Sequence, residues 1–347
     1  MARQLSILVP SRNEMFVSNT VRNILENIEA DTDIIVTLDG AWDHPKIDPH
    51  ERVSVIYVPE AIGQRAATNI AARLSDAKYV MKFDAHVAVD KGFDRKMIEA
   101  FEKVGDNVTL CPIMRNLWAF DWKCYHCGFK SYQGPTPTEC GGCKNPKFRR
   151  KIMWIGKHNP QSTSYCFDSG KMAEVGAEKA DPHFQYNEAW KHREPYISDR
   201  DKTRFTETMS LQGSAFMLTR ENYWKWEVSD ERLGNWGNQG IEVACATWLS
   251  GGRCLVYHDT WYAHLFRTQG GNFSFPWQCS GREAKKTKEN VKNKFWYGRH
   301  PEQIRPVSWL VSKFWPVSGW TQEDLDALLE FEASATHLKT LKESESK

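Results

Sequence analysis

Apolar runs of strand length alternate with longer runs of helical period through the first quarter of the chain. Residues 5–9, 34–38, 53–58 and 79–83 are short, β-rich and mostly apolar, as strands buried in a sheet are. Between them, 16–28 and 64–74 carry apolar positions at helical spacing, and the alternation predicts an α/β domain. Strand, helix and strand return at 211–218, 240–249 and 253–257. Residues 116–160, rich in Gly, Pro and Lys, read as a loop-like insertion between the two halves. From Gly281 the chain is charged and helical in character. There Thr321 and Asp324, followed by Leu325, Leu328 and Leu329, predict an N-capped last helix. The final residues, 342–347, are expected to fray. The chain thus divides at 1–115, 116–160, 161–280 and 281–347, with no internal repeat.

Ligands of open α/β sheets gather beyond the carboxyl ends of the strands. Three such ends carry polar clusters: Pro10-Ser11-Arg12-Asn13-Glu14, Asp39-Gly40 and Asp84-Ala85-His86. Neither the Gly-x-Gly-x-x-Gly turn nor the Gly-x-x-x-x-Gly-Lys-Ser/Thr loop occurs. Dinucleotide-binding and P-loop readings are therefore unsupported.

Composition narrows the class. With 347 residues, 41% of them hydrophobic, the chain can bury a large core, which excludes disorder. No apolar run approaches the roughly 18 residues that span a bilayer. The reading is a soluble, unexported, cytoplasmic protein without a membrane partner. Nine cysteines are an odd number, and four form two Cys-x-x-Cys pairs, which suits a reducing compartment and a bound metal better than disulfides. The sequons at Asn107 and Asn272 are then chance matches.

Asp84 and His86 lie two apart directly after an apolar strand. Extended geometry would turn both side chains the same way, toward one ion. An oxygen-plus-imidazole set favours Mn²⁺ or a similar divalent ion over Ca²⁺. Such an ion would neutralise charge on a departing nucleoside diphosphate. On the pair alone, an Asp84 helix cap beside a packed His86 explains the pattern equally well.

Longer motifs decide between the two. Asp84-Ala85-His86 resembles the Asp-x-His motif of the polypeptide N-acetylgalactosaminyltransferases, which are GT-A glycosyltransferases. Gln212-Gly213-Ser214-Ala215-Phe216-Met217-Leu218-Thr219-Arg220 resembles their Ala-Gly-Gly-Leu-Phe-x-x-x-Arg strand, and Trp236-Gly237-Asn238-Gln239-Gly240-Ile241-Glu242 their Trp-Gly-Gly-Glu-Asn-x-Glu turn. Ala263-His264-Leu265-Phe266-Arg267, with Phe275-Pro276 after it, resembles their Gly-His-Val-Phe-Arg segment and Phe-Pro loop. The opening Val9-Pro10-Ser11-Arg12-Asn13-Glu14 resembles the first strand of family 2 glycosyltransferases.

The resemblance implies a GT-A fold, a Rossmann-like mixed sheet, with a donor-binding half over 1–115 and an acceptor half over 161–280. It implies Mn²⁺ or Mg²⁺ on Asp84, His86 and His264, and a UDP-sugar donor. Donor contacts would come from Pro10, Arg12, Glu14, Asp39, Arg65, Asp84, Gly213, Trp236 and Arg267, with Arg267 near the phosphates. A turn-stabilising Asp39 and a solvated Arg65 are the alternatives for those two residues. Gln239 stands where the family has a Glu that grips sugar hydroxyls, so N-acetylgalactosamine is not implied. The carboxylate base that inverting family 2 enzymes place near this helix start is missing, and Glu242 is the nearest acid. That absence favours a retaining transferase, with Gln239 and Glu242 beside the metal ligands in the catalytic set. The charged helical segment that follows Tyr297 does not resemble the family's lectin domain, and none is expected.

Cys124-x2-Cys127-x12-Cys140-x2-Cys143 offers four thiolates in two knuckles, the donor set of a structural Zn²⁺. A redox reading lacks thioredoxin-like surroundings. Around these cysteines Lys123, Lys130, Lys144, Lys147, Arg149, Arg150, Lys151 and Lys157 face a single acid, Glu139, among Trp122, Tyr125, Phe129, Tyr132, Phe148 and Trp154. The segment 281–305 is also basic. Basic groups interleaved with aromatics suit a nucleic acid; a solvated surface kept soluble by lysine is the plainer account. The acceptor expected is a hydroxymethylated pyrimidine in DNA, as for some bacteriophage enzymes, in the cytoplasm of an infected host. Protein and glycan hydroxyls are competing acceptors. A non-catalytic zinc-ribbon nucleic-acid-binding protein on a GT-A scaffold is the competing class.

Overall fold

A computed structural model describes residues 3–267, 277 and 281–334. The Asn272 sequon, Phe275-Pro276 and the fraying tail at 342–347 lie outside the described residues. The strands are β1 (Leu5–Ser11), β2 (Thr32–Asp39), β3 (Val53–Val58), β4 (Tyr79–Phe83), β5 (Val87–Val89), β6 (Val108–Cys124), β7 (Lys130–Tyr132), β8 (Phe148–Ser162), β9 (Tyr165–Phe167), β10 (Phe184–Tyr186), β11 (Phe205–Glu207), β12 (Ala215–Thr219) and β13 (Arg253–His264). The helices used below are α1 (Val17–Asn27), α2 (Gln64–Leu74), α3 (Phe93–Val104), α4 (Gln239–Leu249), α5 (Gly281–Phe295), α6 (Val307–Phe314) and α7 (Gln322–Ser334). No helix among the described residues is long and apolar enough to cross a membrane.

The main sheet runs β11-β13-β6-β12-β4-β1-β2-β3. Its β3-β2-β1-β4 half is parallel, whereas β12 runs antiparallel to β4 and β6. Side-chain alternation sorts the strands between two cores. Leu5, Ile7 and Val9 join α1 and α3 on one face, and Leu8 joins α4, α6 and α7 on the other. Both cores use aliphatic residues from central strands, so the site rests on a frame packed from two sides.

Three expectations change. First, the stretch read as a loop is mostly a β-ribbon: β6 leaves the central sheet without a break and pairs antiparallel with β8, from Met114↔Ser162 out to Cys124↔Phe148. Gly and Pro are concentrated toward the tip, while Leu117, Ala119, Phe120 and Trp122 in the ribbon's root are buried and have strand preferences that the segment's average composition conceals. Second, β13 passes its expected end near His258 and reaches His264, through a register shift between Tyr257 and Trp261. Third, the charged C-terminal segment packs on the domain. Val291, Phe295, Leu310, Val311, Phe314 and Leu328 are buried in the core that holds α4. The expected cap on α7 forms, with the Asp324 N–H donating to Thr321 Oγ1 at 3.2 Å and Asp324 accepting from the Thr321 N–H in return.

Candidate donor and metal site

Strand ends build the site. β4 stops at Phe83, and the Asp84 N–H is tied to the Ser214 carbonyl at 2.9 Å. The chain then turns into β5, whose Val87 pairs with His264 of β13. That register sets His264 beside His86, 178 residues away in sequence, and their Nε2 atoms lie 3.1 Å apart. His264 Nε2 is also 3.2 Å from Asp84 Oδ2. Asp84, His86 and His264 therefore converge, their ligand atoms all within 4.8 Å of one another.

Glu14 gives this cluster its chemical character. Its Oε2 lies 2.9 Å from His86 Nδ1, and its Oε1 accepts from Arg267 Nη2 and from the Phe16 N–H. Burial would raise the Glu14 carboxyl, but His86 and Arg267 outweigh it and hold it below the usual range. An ionised carboxylate only accepts, so His86 Nδ1 carries the proton toward Glu14, and Nε2 is the nitrogen that faces His264 and Asp84. Burial pushes the His264 imidazole down to about 4, which keeps it neutral near pH 7. Asp84 is likewise held well below the carboxylate range: burial opposes this, and Lys82, His264 and His86 overcome it. Two imidazole nitrogens and a carboxylate oxygen are a divalent-metal donor set. Ligands at right angles on bonds of about 2.1 Å would sit about 3 Å apart, close to the two short separations. The residues fit the ion.

Lys82 was not singled out by sequence, although a lysine inside the apolar run Tyr-Val-Met-Lys-Phe is a signal. It is 1% exposed, pairs with Asp84 and donates to the Gly213 carbonyl at 2.8 Å. Burial lowers its ammonium against the pull of Asp84.

Two adjoining cavities meet at Asp84. The first, about 240 Å³, is walled in part by Pro10, Arg12, Glu14, His86, His264 and Arg267. The second, about 400 Å³, includes Gly213, Asn238, Gln239 and, from outside the motifs, His183 and Lys288. Gln64, Gln212 and Trp236 line both. Gly240 lets the start of α4 approach this junction, because a Cβ there would lie 2.0 Å from the Leu211 carbonyl oxygen. Gln239 is buried beside it, and its Oε1 has no hydrogen-bond partner among the described residues.

Other expected site residues lie behind these walls. Asp39 is fully buried and accepts from the Ile62 and Gly63 N–H groups at 2.7 and 3.0 Å, so it fixes the turn into α2. Arg65 and Glu242 form a buried ion pair at 2.7 Å. Arg65 also donates to the carbonyls of Gly234 and Gly237, and Glu242 accepts from the Asp230 N–H. Burial raises the Glu242 carboxyl despite Arg65. These two side chains line neither cavity; they clamp the loop that carries Trp236.

At the ribbon tip the four cysteines form a second cluster. Sγ atoms are 3.7 Å apart for Cys124 and Cys143 and 3.5 Å for Cys127 and Cys140. A tetrahedral ion with metal–sulfur bonds of about 2.3 Å would set them about 3.8 Å apart. These residues also fit a metal. The ribbon's root reaches the first cavity through an aromatic chain: Trp154 and Phe120 each lie 5.6 Å from Phe16, whose ring is 6.0 Å from the Arg267 guanidinium.

The chain has a GT-A fold. Residues 6–140 match the family Glycosyl transferase family 2. Among solved structures the chain is similar to GalNAc-T7 with UDP, GalNAc and Mn²⁺, at a TM-score of 0.56 and 15% identity. The match covers 96% of this chain and 55% of GalNAc-T7, so the chain spans little more than half of that protein. It is also similar to S. aureus TarS, at a TM-score of 0.42 and 10% identity over 76% of this chain and 37% of TarS. No curated protein sequence matches the chain.

Proposed function

We propose that this chain is a metal-dependent glycosyltransferase that moves a sugar from a UDP-sugar to the hydroxyl of a hydroxymethylated pyrimidine in DNA. The observation that carries the transfer chemistry is the Asp84, His86 and His264 cluster, with its tautomer set by Glu14 and its place at the meeting of two cavities. GalNAc-T7, a fold relative, binds UDP and Mn²⁺, which supports the same donor and ion here. A bound Mn²⁺ or Mg²⁺ would supply neutralising charge to the diphosphate. For their part, Glu14 orients His86, Lys82 keeps Asp84 ionised, and Gln239 Oε1 is available to accept from a sugar hydroxyl.

Retention of configuration is favoured by the second cavity. Among its described lining residues the only carboxylate is Asp84, already engaged by Lys82 and His264. With Glu242 sealed off, the departing phosphate oxygen is left as the base for the acceptor proton.

The basic ribbon supports a polyanionic acceptor. Arg149, Arg150, Lys151 and Lys157 are exposed, and Arg150 lies 4.9 Å from the Trp122 ring at the ribbon root that adjoins the donor cavity. The C-terminal segment contributes less than its composition suggests. Lys292 is spent on the carbonyls of Glu178 and Ala180, and Lys294 on Glu227 and Asp230. A pyrimidine inside a duplex would have to be flipped out to reach the sugar.

The test is transfer from UDP-sugars to hydroxymethylated DNA across a salt series. Transfer should fall steeply with salt. Replacing Lys147, Arg149, Arg150 and Lys151 with Glu should raise acceptor KM while UDP affinity is retained. Salt-insensitive transfer to an uncharged peptide or glycan would overturn the acceptor assignment.

The cysteine cluster is proposed to hold Zn²⁺ that shapes the ribbon tip. Elemental analysis should find about one zinc per chain, and Cys140→Ser should lower that content without altering UDP affinity. Native protein free of zinc would contradict the assignment.

A further inference from the structure

The second cavity contains a cation that none of the sequence motifs includes. Lys288, on α5, lines it together with His183, Phe184 and Ala284, and none of these four lines the first cavity. They form the wall away from the donor side, since the residues shared by the two cavities are Gln64, Asp84, Gln212 and Trp236. An ammonium group has three N–H donors. Lys288 Nζ meets His183 Nε2 at 2.7 Å and Asp181 Oδ2 at 3.3 Å, which occupies two and leaves one for whatever fills the cavity. Its side chain is 25% exposed, whereas Asp181 is 48% exposed, so water screens the counter-charge more than the cation. Asp181 also lies 3.4 Å from His183 Nε2, so the three side chains form one polar cluster that holds the Lys288 ammonium at the cavity wall.

The rest of the lining agrees with an anionic visitor. Asp84 is the one carboxylate among the described lining residues and lies on the donor side. Asn238, Gln239, Phe184 and Ala284 add no charge to the lining, and Asp181, the counter-charge at Lys288, is not part of it. Phe184 and Ala284 offer apolar surface beside the cation, as a nucleotide with both a base and a phosphate would use.

We propose that Lys288, steadied by His183 and Asp181, is a phosphate subsite that binds the acceptor nucleotide next to the hydroxyl receiving the sugar. This rests on the reading of DNA as the acceptor and assigns one phosphate contact within it.

The experiment compares wild-type protein, Lys288→Gln and Lys288→Arg on hydroxymethylated DNA over a salt series. Binding of UDP with Mn²⁺ reports on the fold of each variant. For Lys288→Gln, acceptor KM should rise several-fold, and the slope of log KM against log salt should become shallower by about one, the signature of one lost phosphate contact. Lys288→Arg should keep the wild-type slope. An unchanged slope in Lys288→Gln, or an equal KM rise on an uncharged hydroxyl acceptor, would overturn the phosphate assignment while leaving DNA transfer in place. A Lys288→Gln effect confined to donor KM with a hexuronate donor would place the anion on the sugar and also overturn it. Wild-type protein that leaves DNA unmodified would refute the acceptor reading itself, and the subsite with it.

Discussion

His264→Ala is expected to lower transfer by at least about 10³-fold, because the site loses a ligand where charge builds on the departing diphosphate. The chain should still fold, since His264 contributes an imidazole at a cavity wall and its Nδ1 has no hydrogen-bond partner to lose. Asp84 is a less clean target. Lys82 is buried against it, so Asp84→Ala leaves an ammonium without a counter-charge and adds a folding defect to the lost ligand; Asp84→Asn keeps an oxygen for Lys82 to donate to but lacks the counter-charge as well. Glu14→Gln should be milder. The amide can still accept from His86 Nδ1 but takes the counter-charge from buried Arg267; disturbing the residue that orients a ligand typically costs 10–100-fold in metal affinity, and excess Mn²⁺ should restore that part of the rate. Transfer by His264→Ala at the wild-type rate would refute the ligand assignment.

Arg65→Met is expected to destabilise the chain by about 3–5 kcal/mol, the usual cost of breaking a buried ion pair from one side. Glu242 is fully buried, and Arg65 serves it together with the Gly234 and Gly237 carbonyls, at 2.9 and 2.6 Å. Arg65→Lys should recover only part of the loss, since a single ammonium cannot span acceptors arranged for a planar fork. Arg65→Met combined with Glu242→Leu should unfold at higher urea than Arg65→Met alone, because no buried charge is then stranded. Loosening the Trp236 loop should also raise donor KM in whatever folded protein remains. An Arg65→Met midpoint equal to wild type would show that the pair holds nothing in place.

The same residues mark how far sequence could reach. Strand ends at Ser11, Asp39 and Phe83 were legible because apolar runs stop there in polar clusters. Asp84 and His86 stood out for their spacing, but His264 depended on resemblance: the pairing of β5 with β13 is a long-range register that no local pattern records. Asp39 and Arg65 show the limit of carrying roles across motifs. Both lie where a donor contact was expected, and both turn inward, Asp39 to two backbone N–H groups and Arg65 to a glutamate 177 positions away. Average composition misled at the ribbon, where a Gly- and Pro-rich tip hid the long strands β6 and β8. It misled again at the C-terminus, where the charged helices also carry Val291, Phe295 and Leu310, which complete a core, and where Lys292 and Lys294 are themselves buried. Lys288 was counted only as part of a basic segment, and its meeting with His183 exists only once α5 has packed.

The most direct measurement of the central claim is calorimetric titration of UDP into the zinc-loaded chain, with and without Mn²⁺, for wild type and His264→Ala. The account predicts that Mn²⁺ tightens UDP binding in the wild type by at least roughly tenfold, and that His264→Ala loses this gain while keeping its zinc. Wild-type UDP affinity that is the same in Mn²⁺ and after its removal would contradict it.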